Sequence, residues 1–406
     1  MPRAGWVTPE TNQRLSDHIS IGVLTRVFPP ELVDRIVEET GRREVRHRLL
    51  PARVVVYYVL GLALFADGSY EEVMRNLLEG LSWASGWERA WQVPRKASLY
   101  KARARLGPGP LEALFHAVTK PMATEETPGA FYHGLRLMSI DGTTLDIADT
   151  AENAERFGRP ASGRGESSGA FPQVRVVGLA ECGTHGIVAA SPGPLSSGEA
   201  TLARPLLSSL SSGMLLLAGR YYYSFKLWGE ARRTGADLLW RTKQNHVLPV
   251  NDHLPDGSSL SFLHEVIGHQ RKKSDVVVRV VEYGLDDPGR SGTQERYRLI
   301  TTLLDPDTAP AAELAALYTR RWRFETTLGE LKTHQRGPSI VLRSKQPDGV
   351  LQELYGYLCV HHAIRWLMHT VALEGGEDPD RLGFTRTLGV ARRTTASHPG
   401  LSPSRP

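Results

Sequence analysis

Tyr318-Thr319-Arg320-Arg321-Trp322-Arg323-Phe324-Glu325-Thr326-Thr327-Leu328-Gly329-Glu330-Leu331-Lys332 is the stretch on which the reading of this chain turns. Wound as a helix at about 100° per residue, it brings Tyr318, Arg321, Glu325 and Lys332 into an arc of roughly 60°. Leu317, Phe324, Leu328 and Leu331 take the neighbouring arc, so that face borders a core. One acid with cations and a phenol above and below it suits a metal ligand among phosphate contacts. The alternative is a solvated face laced with ion pairs.

Working outward, the 406 residues are enough for two or three domains with a sizeable core. A net charge of +5 and a pI near 9.2 permit a polyanionic partner without requiring one. Cys182 and Cys359 lie far apart without metal-type spacing, which fits a reducing compartment. The most apolar run, Val54 to Ala66, is too short to span a bilayer, and the N-terminus has no apolar signal core. A cytoplasmic, nucleoid-associated protein with no membrane partner is expected.

Residues from about 16 to 120 read as helices alone. Ser69-Tyr70-Glu71-Glu72 has the form of a capping box. Arg95 to Gly107 holds five cations within eleven residues, with Ser98 the expected N-cap. Its Lys96, Lys101, Arg103 and Arg105 either solvate the helix or lie against DNA phosphates. Near residue 130 the period changes to that of strands. Leu135 to Ile140 reads as a strand ending at the turn-like Asp141-Gly142, followed by strands at Val174–Ala180, Gly186–Ala190, Met214–Ala218 and Ala236–Lys243. Helical text at Ser197–Leu210 and Ser224–Thr234 alternates with them, the mark of a mixed α/β sheet. Residues 245–297 are β-rich with Asp/Gly/Pro/Ser turns; Leu351 to Leu373 is a long apolar helix; residues 374–406 read as a flexible tail.

Asp141 at a strand's end beside a glycine could hold a divalent cation or simply make a turn. Other motifs fail on spacing. Gly158 to Gly165 lacks the Gly-Lys-Ser/Thr ending of a phosphate loop, and His264 and His269 are five apart rather than i, i+4.

Tyr318-x-x-Arg321-x-x-x-Glu325-x-x-x-x-x-x-Lys332 resembles the Tyr-Arg-Glu-Lys signature of DDE transposases of insertion sequence family four. Glu330 to Gly337, Leu342 to Lys345, Ile140-Asp141-Gly142-Thr143 and Leu24 to Leu32 are similar to that family's flanking text. The resemblance covers roughly residues 15 to 372 and implies an α/β fold: an RNase H-like catalytic core with a β-rich insertion, preceded by an all-α N-terminal DNA-binding domain. It divides the chain into a helical domain at 1–130, core at 131–244, insertion at 245–297, core at 298–373 and tail at 374–406. It further implies cut-and-paste DNA transposition with Mg²⁺ or Mn²⁺, on double-stranded transposon ends, by a homodimer assembled on DNA. Asp141 and Glu325 would ligate the metal, and Tyr318, Arg321 and Lys332 would grip DNA phosphates.

One position departs from the family. The second aspartate is expected in a Leu-Ala-Asp-Arg context, and this chain reads Leu217-Ala218-Gly219-Arg220, with no Asp or Glu between Glu199 and Glu230. The resemblance therefore implies weakened metal binding and severely impaired cleavage. The alternative is a catalytically inactive DNA-binding descendant, a decayed copy or a regulator.

Overall fold

The computed structural model describes residues 23–45, 50–85, 93–160, 171–267, 270–284, 296–321, 327–335 and 341–397. The alternating text after residue 130 builds one sheet of ten strands. They are β1 (Phe131–Tyr132), β2 (Leu135–Asp146), β3 (Gln173–Glu181), β4 (Ile187–Pro194), β5 (Met214–Ala218), β6 (Asp237–Arg241), β7 (Asp252–His253), β8 (Ser259–Ile267), β9 (Gln270–Gly284) and β10 (Arg296–Thr301). The order is β4-β3-β2-β5-β6-β10-β9-β8-β7, with β1 paired to β2. β2, β3 and β4 form an antiparallel meander, whereas β5 and β6 run parallel to β2. Parallel neighbours need a crossover, and between β5 and β6 the helix Phe225–Arg232 supplies it. This mixed order, an antiparallel meander beside parallel strands, is the one expected of an RNase H-like core. The β-rich stretch extends the same sheet, since β9 pairs with β10 and β10 with β6.

Period-2 alternation sorts the side chains. Leu137, Leu215, Leu217 and Leu239 meet Leu314, Leu317 and Tyr318 of the helix Ala311–Tyr318 on one face. Met138, Ile140, Leu216, Ala218, Leu238 and Trp240 face the helices Glu199–Ala203 and Phe225–Arg232 on the other.

Among the described residues six helices precede the sheet: α1 (Val23–Val27), α2 (Pro30–Glu39), α3 (Ala52–Leu64), α4 (Tyr70–Ser85), α5 (Lys96–Leu106) and α6 (Gly109–Val118). The sheet region adds α7 (Ala151–Phe157), α8 (Glu199–Ala203), α9 (Phe225–Arg232) and α10 (Ala311–Tyr318), and the chain continues through α11 (Pro347–Gly375) and α12 (Phe384–Ser397). Every residue of α3 but Arg53 is buried. That burial follows from its partners, since its apolar residues share one core with those of α11 and α12. A Cβ at Gly356 of α11 would meet Val59 Cγ1 at 3.0 Å, so the two helices touch closely there. The N-terminal helices thus close over helices from the far end of the chain. The expected capping box forms: Glu72 N–H donates to Ser69 Oγ and Ser69 N–H to Glu72 Oε2, each at 3.2 Å. Among the described residues no helix is long and apolar enough to cross a membrane.

The structure departs from the sequence reading in four places. Among the described residues the stretch from Tyr318 to Lys332 changes helical type: α10 ends at Tyr318, Thr319–Arg321 is a 3-10 turn, and Glu330–Gln335 is a π-helical turn. A 3-10 turn advances ~120° per residue, which sets Arg321 one full turn beyond Tyr318 on the same face; the rest of the arc passes through Glu325, outside the described residues. β2 does not end at Asp141 but runs on to Asp146; what ends there is its pairing with β5. Ser98 lies inside the first turn of α5, whose N-cap is Arg95. Within 374–406, α12 is ordered, because Phe384, Leu388 and Ala391 form an apolar stripe buried in the helical core.

Candidate functional site

The site grows from a parting of strands. β2 and β5 pair in parallel register up to Ile140 opposite Ala218. The next residue of each, Asp141 and Gly219, therefore stand side by side where the strands separate, while β2 stays paired with β3 through Asp146. The carboxylate of Asp141 has both oxygens engaged. Oδ1 accepts the Gly142 N–H at 2.9 Å, and Oδ2 accepts Arg321 Nη1 at 2.9 Å. The pair is largely withdrawn from water, with side-chain exposures of 20% and 12% for Asp141 and Arg321. A Cβ placed at Gly219 would lie 3.7 Å from Arg321 Nη1 and 3.8 Å from Cζ, ordinary contact distance, so the guanidinium lies against Gly219.

Tyr318 was expected on the DNA side, and the structure corrects this. Its ring is buried and its hydroxyl donates to the Ala218 carbonyl at 3.2 Å. Burial, chiefly, pushes that phenol up to about 12. The side chain thus ties α10 to the end of β5 and lies near the Arg321 guanidinium, 5.8 Å from ring centroid to Cζ. Lys332 is exposed. Glu325 lies outside the described residues, so its distance to Asp141 is not part of the geometry.

A carboxylate that the spacing of motifs did not single out sits behind the cleft. A Cβ at Gly142 would meet Cδ and Oε1 of Glu199 at 3.0 Å, so the absence of a side chain at Gly142 makes room for that acid. Burial and then the Asp141 charge raise the Glu199 carboxyl above its ordinary range. The Tyr222 phenol beside it is raised too, by burial and then by Glu199 and Asp141. Only the fold could have revealed this acid, because Glu199 is remote from both strand ends in sequence and approaches from the N-terminus of α8.

The segment that follows residue 325 is fastened from below. Glu330 accepts Arg365 Nε at 3.0 Å, pairs again with Arg365 Nη2, and lies 3.4 Å from His361 Nε2. Burial would raise its carboxyl; the His361 hydrogen bond and the Arg365 charge outweigh that and hold it low. Thr327 is tied to His185 Nδ1 at 3.0 Å.

The basic helix α5 divides by role. Arg103 is buried and donates to Gln352 Oε1 at 2.8 Å and to Ser344 Oγ at 2.9 Å, so it clamps α5 to α11 instead of facing solvent. Arg105 donates to the Leu50 carbonyl at 2.8 Å and pairs with Glu44. Lys96 is exposed near the Tyr70 ring, and Lys101 is exposed. A second basic feature follows Gly219. A cavity of about 520 Å³ is lined by Arg220, Lys226, Lys243 and His246 among others, and Arg220 and Lys243 lie over the exposed ring of Tyr221.

Two family models match the chain. One, described as insertion element 4 transposase N-terminal, covers residues 18–116, and the other, described as transposase DDE domain, covers residues 132–362. The chain is 28% identical over 379 residues to the transposase InsG for insertion sequence element IS4 of Escherichia coli (strain K12), spanning 93% of this chain and 83% of that protein. It is 24% identical over 232 residues to the putative transposase InsZ of the same strain, spanning 57% of this chain and 71% of that one. Among solved structures, the piggyBac transposase synaptic complex with hairpin DNA overlaps loosely, with a TM-score of 0.47 and 11% identity over 92% of this chain and 79% of that one. With both its helical region and its sheet domain matched, the chain belongs to the insertion element 4 family of DDE transposases.

Proposed function

We propose that this chain binds the double-stranded DNA ends of an insertion sequence and that its cutting and rejoining of phosphodiesters is severely impaired. The observation that carries this reading is the junction of β2 and β5. Gly219, in the place where the family is expected to present its second acid, offers no donor and faces the Arg321 guanidinium. DDE transposases generally use divalent metal ions, and such hard ions call for several carboxylates. Here both oxygens of Asp141 are engaged, and among the described residues no three His, Cys, Asp or Glu side chains gather as a metal group. Without an acid at 219, Asp141 and Glu325 are left as the two family carboxylates, fewer than a pair of Mg²⁺ or Mn²⁺ ions calls for.

DNA binding is supported independently of the acids. Lys96, Lys101 and Lys332 are exposed cations, and the Arg220–Lys243 cavity adds charge beside an exposed aromatic ring. Phosphates are bound by such charge without base reading, and holding two ends together calls for two copies of the chain. The test is incubation of end-bearing duplex with Mn²⁺: the chain as it stands retains the duplex without nicking it, and Gly219→Asp nicks it. A second reading, cutting sustained by Glu199 in place of the second acid, is favoured by its position against Gly142. Nicking by the unaltered chain that Glu199→Gln abolishes would establish that reading instead.

A further inference from the structure

We propose that Arg321 is the resident cation of this cleft: its guanidinium neutralises Asp141 in the place of a divalent ion, so the cleft itself takes up no metal. The proposal deepens the reading of the β2–β5 junction as an impaired site.

The argument starts from charge. The Glu199 carboxyl packs against Gly142, the residue next to the largely buried Asp141, so two acids meet in one poorly solvated corner. Such a corner needs a cation, because like charges withdrawn from water repel strongly. Arg321 supplies one at 2.9 Å from Asp141 Oδ2. Its guanidinium lies against Gly219, 3.7 Å from where a Cβ would stand, and residue 219 offers it no carboxylate. The Tyr318 ring, tied by its hydroxyl to the Ala218 carbonyl at 3.2 Å, lies 5.8 Å from the guanidinium carbon. A divalent ion brought to Asp141 would have to displace or face that guanidinium, with no carboxylate from Gly219 to offset the repulsion. The ion pair therefore does the neutralising itself.

The test uses the full chain without DNA and reads Mn²⁺ by electron paramagnetic resonance. The expected result is that the unaltered chain and Asp141→Asn give the same weak, unsaturated Mn²⁺ titration. Arg321→Met uncovers the acids and binds Mn²⁺ at least about tenfold more tightly, and adding Asp141→Asn to Arg321→Met removes the gain. Arg321→Lys keeps the positive charge and stays blind to Mn²⁺, which keeps the comparison decisive if the methionine variant folds poorly. The proposal is overturned if the unaltered chain binds Mn²⁺ saturably and Asp141→Asn abolishes it. An Arg321→Met variant that gains no Asp141-dependent signal, or an Arg321→Lys variant that gains one, overturns it equally. Failure to retain end-bearing DNA would sink the proposed function and leave these titrations untouched, so the two claims stand or fall separately.

Discussion

Replacing Glu330 by Gln removes the charge that compensates a buried guanidinium. Arg365 is 3% exposed and Glu330 5%, and they share a two-point contact inside the helical core. A buried pair gains little over an apolar pair of equal volume, but removal of one partner strands the other at a cost of about 3–5 kcal/mol. The Phe384 ring, 5.6 Å from the Arg365 guanidinium carbon, offers cation–π attraction that recovers only a fraction of this. The expected loss for Glu330→Gln is therefore ~3 kcal/mol, read by urea unfolding followed through tryptophan fluorescence. The double variant Glu330→Met with Arg365→Met should regain most of it, since no charge is then left buried. Amide exchange across residues 327–335 should quicken in the single variant, because that segment loses its fastening to α11. A loss below about 1 kcal/mol, or a double variant as weak as the sum of the singles, would refute the assignment of this pair as the anchor.

Three other outcomes follow from the same structure. Arg103→Met should cost ~2–4 kcal/mol of stability, as it leaves the buried polar groups of Gln352 on α11 and Ser344 just before it without their donor, while end-DNA affinity measured on the folded fraction stays unchanged. Lys101→Ala should do the reverse, leaving stability alone and lowering the slope of log affinity against log salt by about 1. Acid should also unfold the chain early. Burial, chiefly, lowers His362 from 6.5 to about 4, so the folded state holds this ring neutral while the unfolded chain protonates it. Its contribution is complete above pH 6.5 and is lost as pH falls toward 4, on the order of 3 kcal/mol in all. His362→Asn should flatten the dependence of the unfolding midpoint on pH across that window, and an unchanged slope would contradict the burial argument.

Much of the fold was legible because each strand carries its own signal. Met214 to Ala218 is a short apolar run that becomes a central strand, and the period change near residue 130 marks where the sheet begins. The adjacency of Asp141 and Gly219 was legible only through resemblance; their register is a tertiary fact that no local spacing encodes. Charge content misled where burial decides role. Arg103 and Lys101 look alike in sequence, yet one clamps two helices and the other is exposed, because the partner residues Ser344 and Gln352 come from the far end of the chain. Tyr318 misled in the same way: its phenol reads as a phosphate contact and is spent on a backbone carbonyl. Helical period could not foresee the π-helical turn at Glu330–Gln335, which coincides with a buried ion pair to a helix thirty-odd residues away in sequence.

The central proposal is that a DDE transposase frame persists around a cleft whose chemistry is severely impaired. The most direct measurement is Mn²⁺-dependent nicking of end-bearing duplex by the unaltered chain and by Gly219→Asp, at matched occupancy of the DNA. The account predicts retained DNA with no nicking for the unaltered chain and metal-dependent nicking on restoring the acid. Nicking by the unaltered chain at a rate equal to that of Gly219→Asp would contradict it.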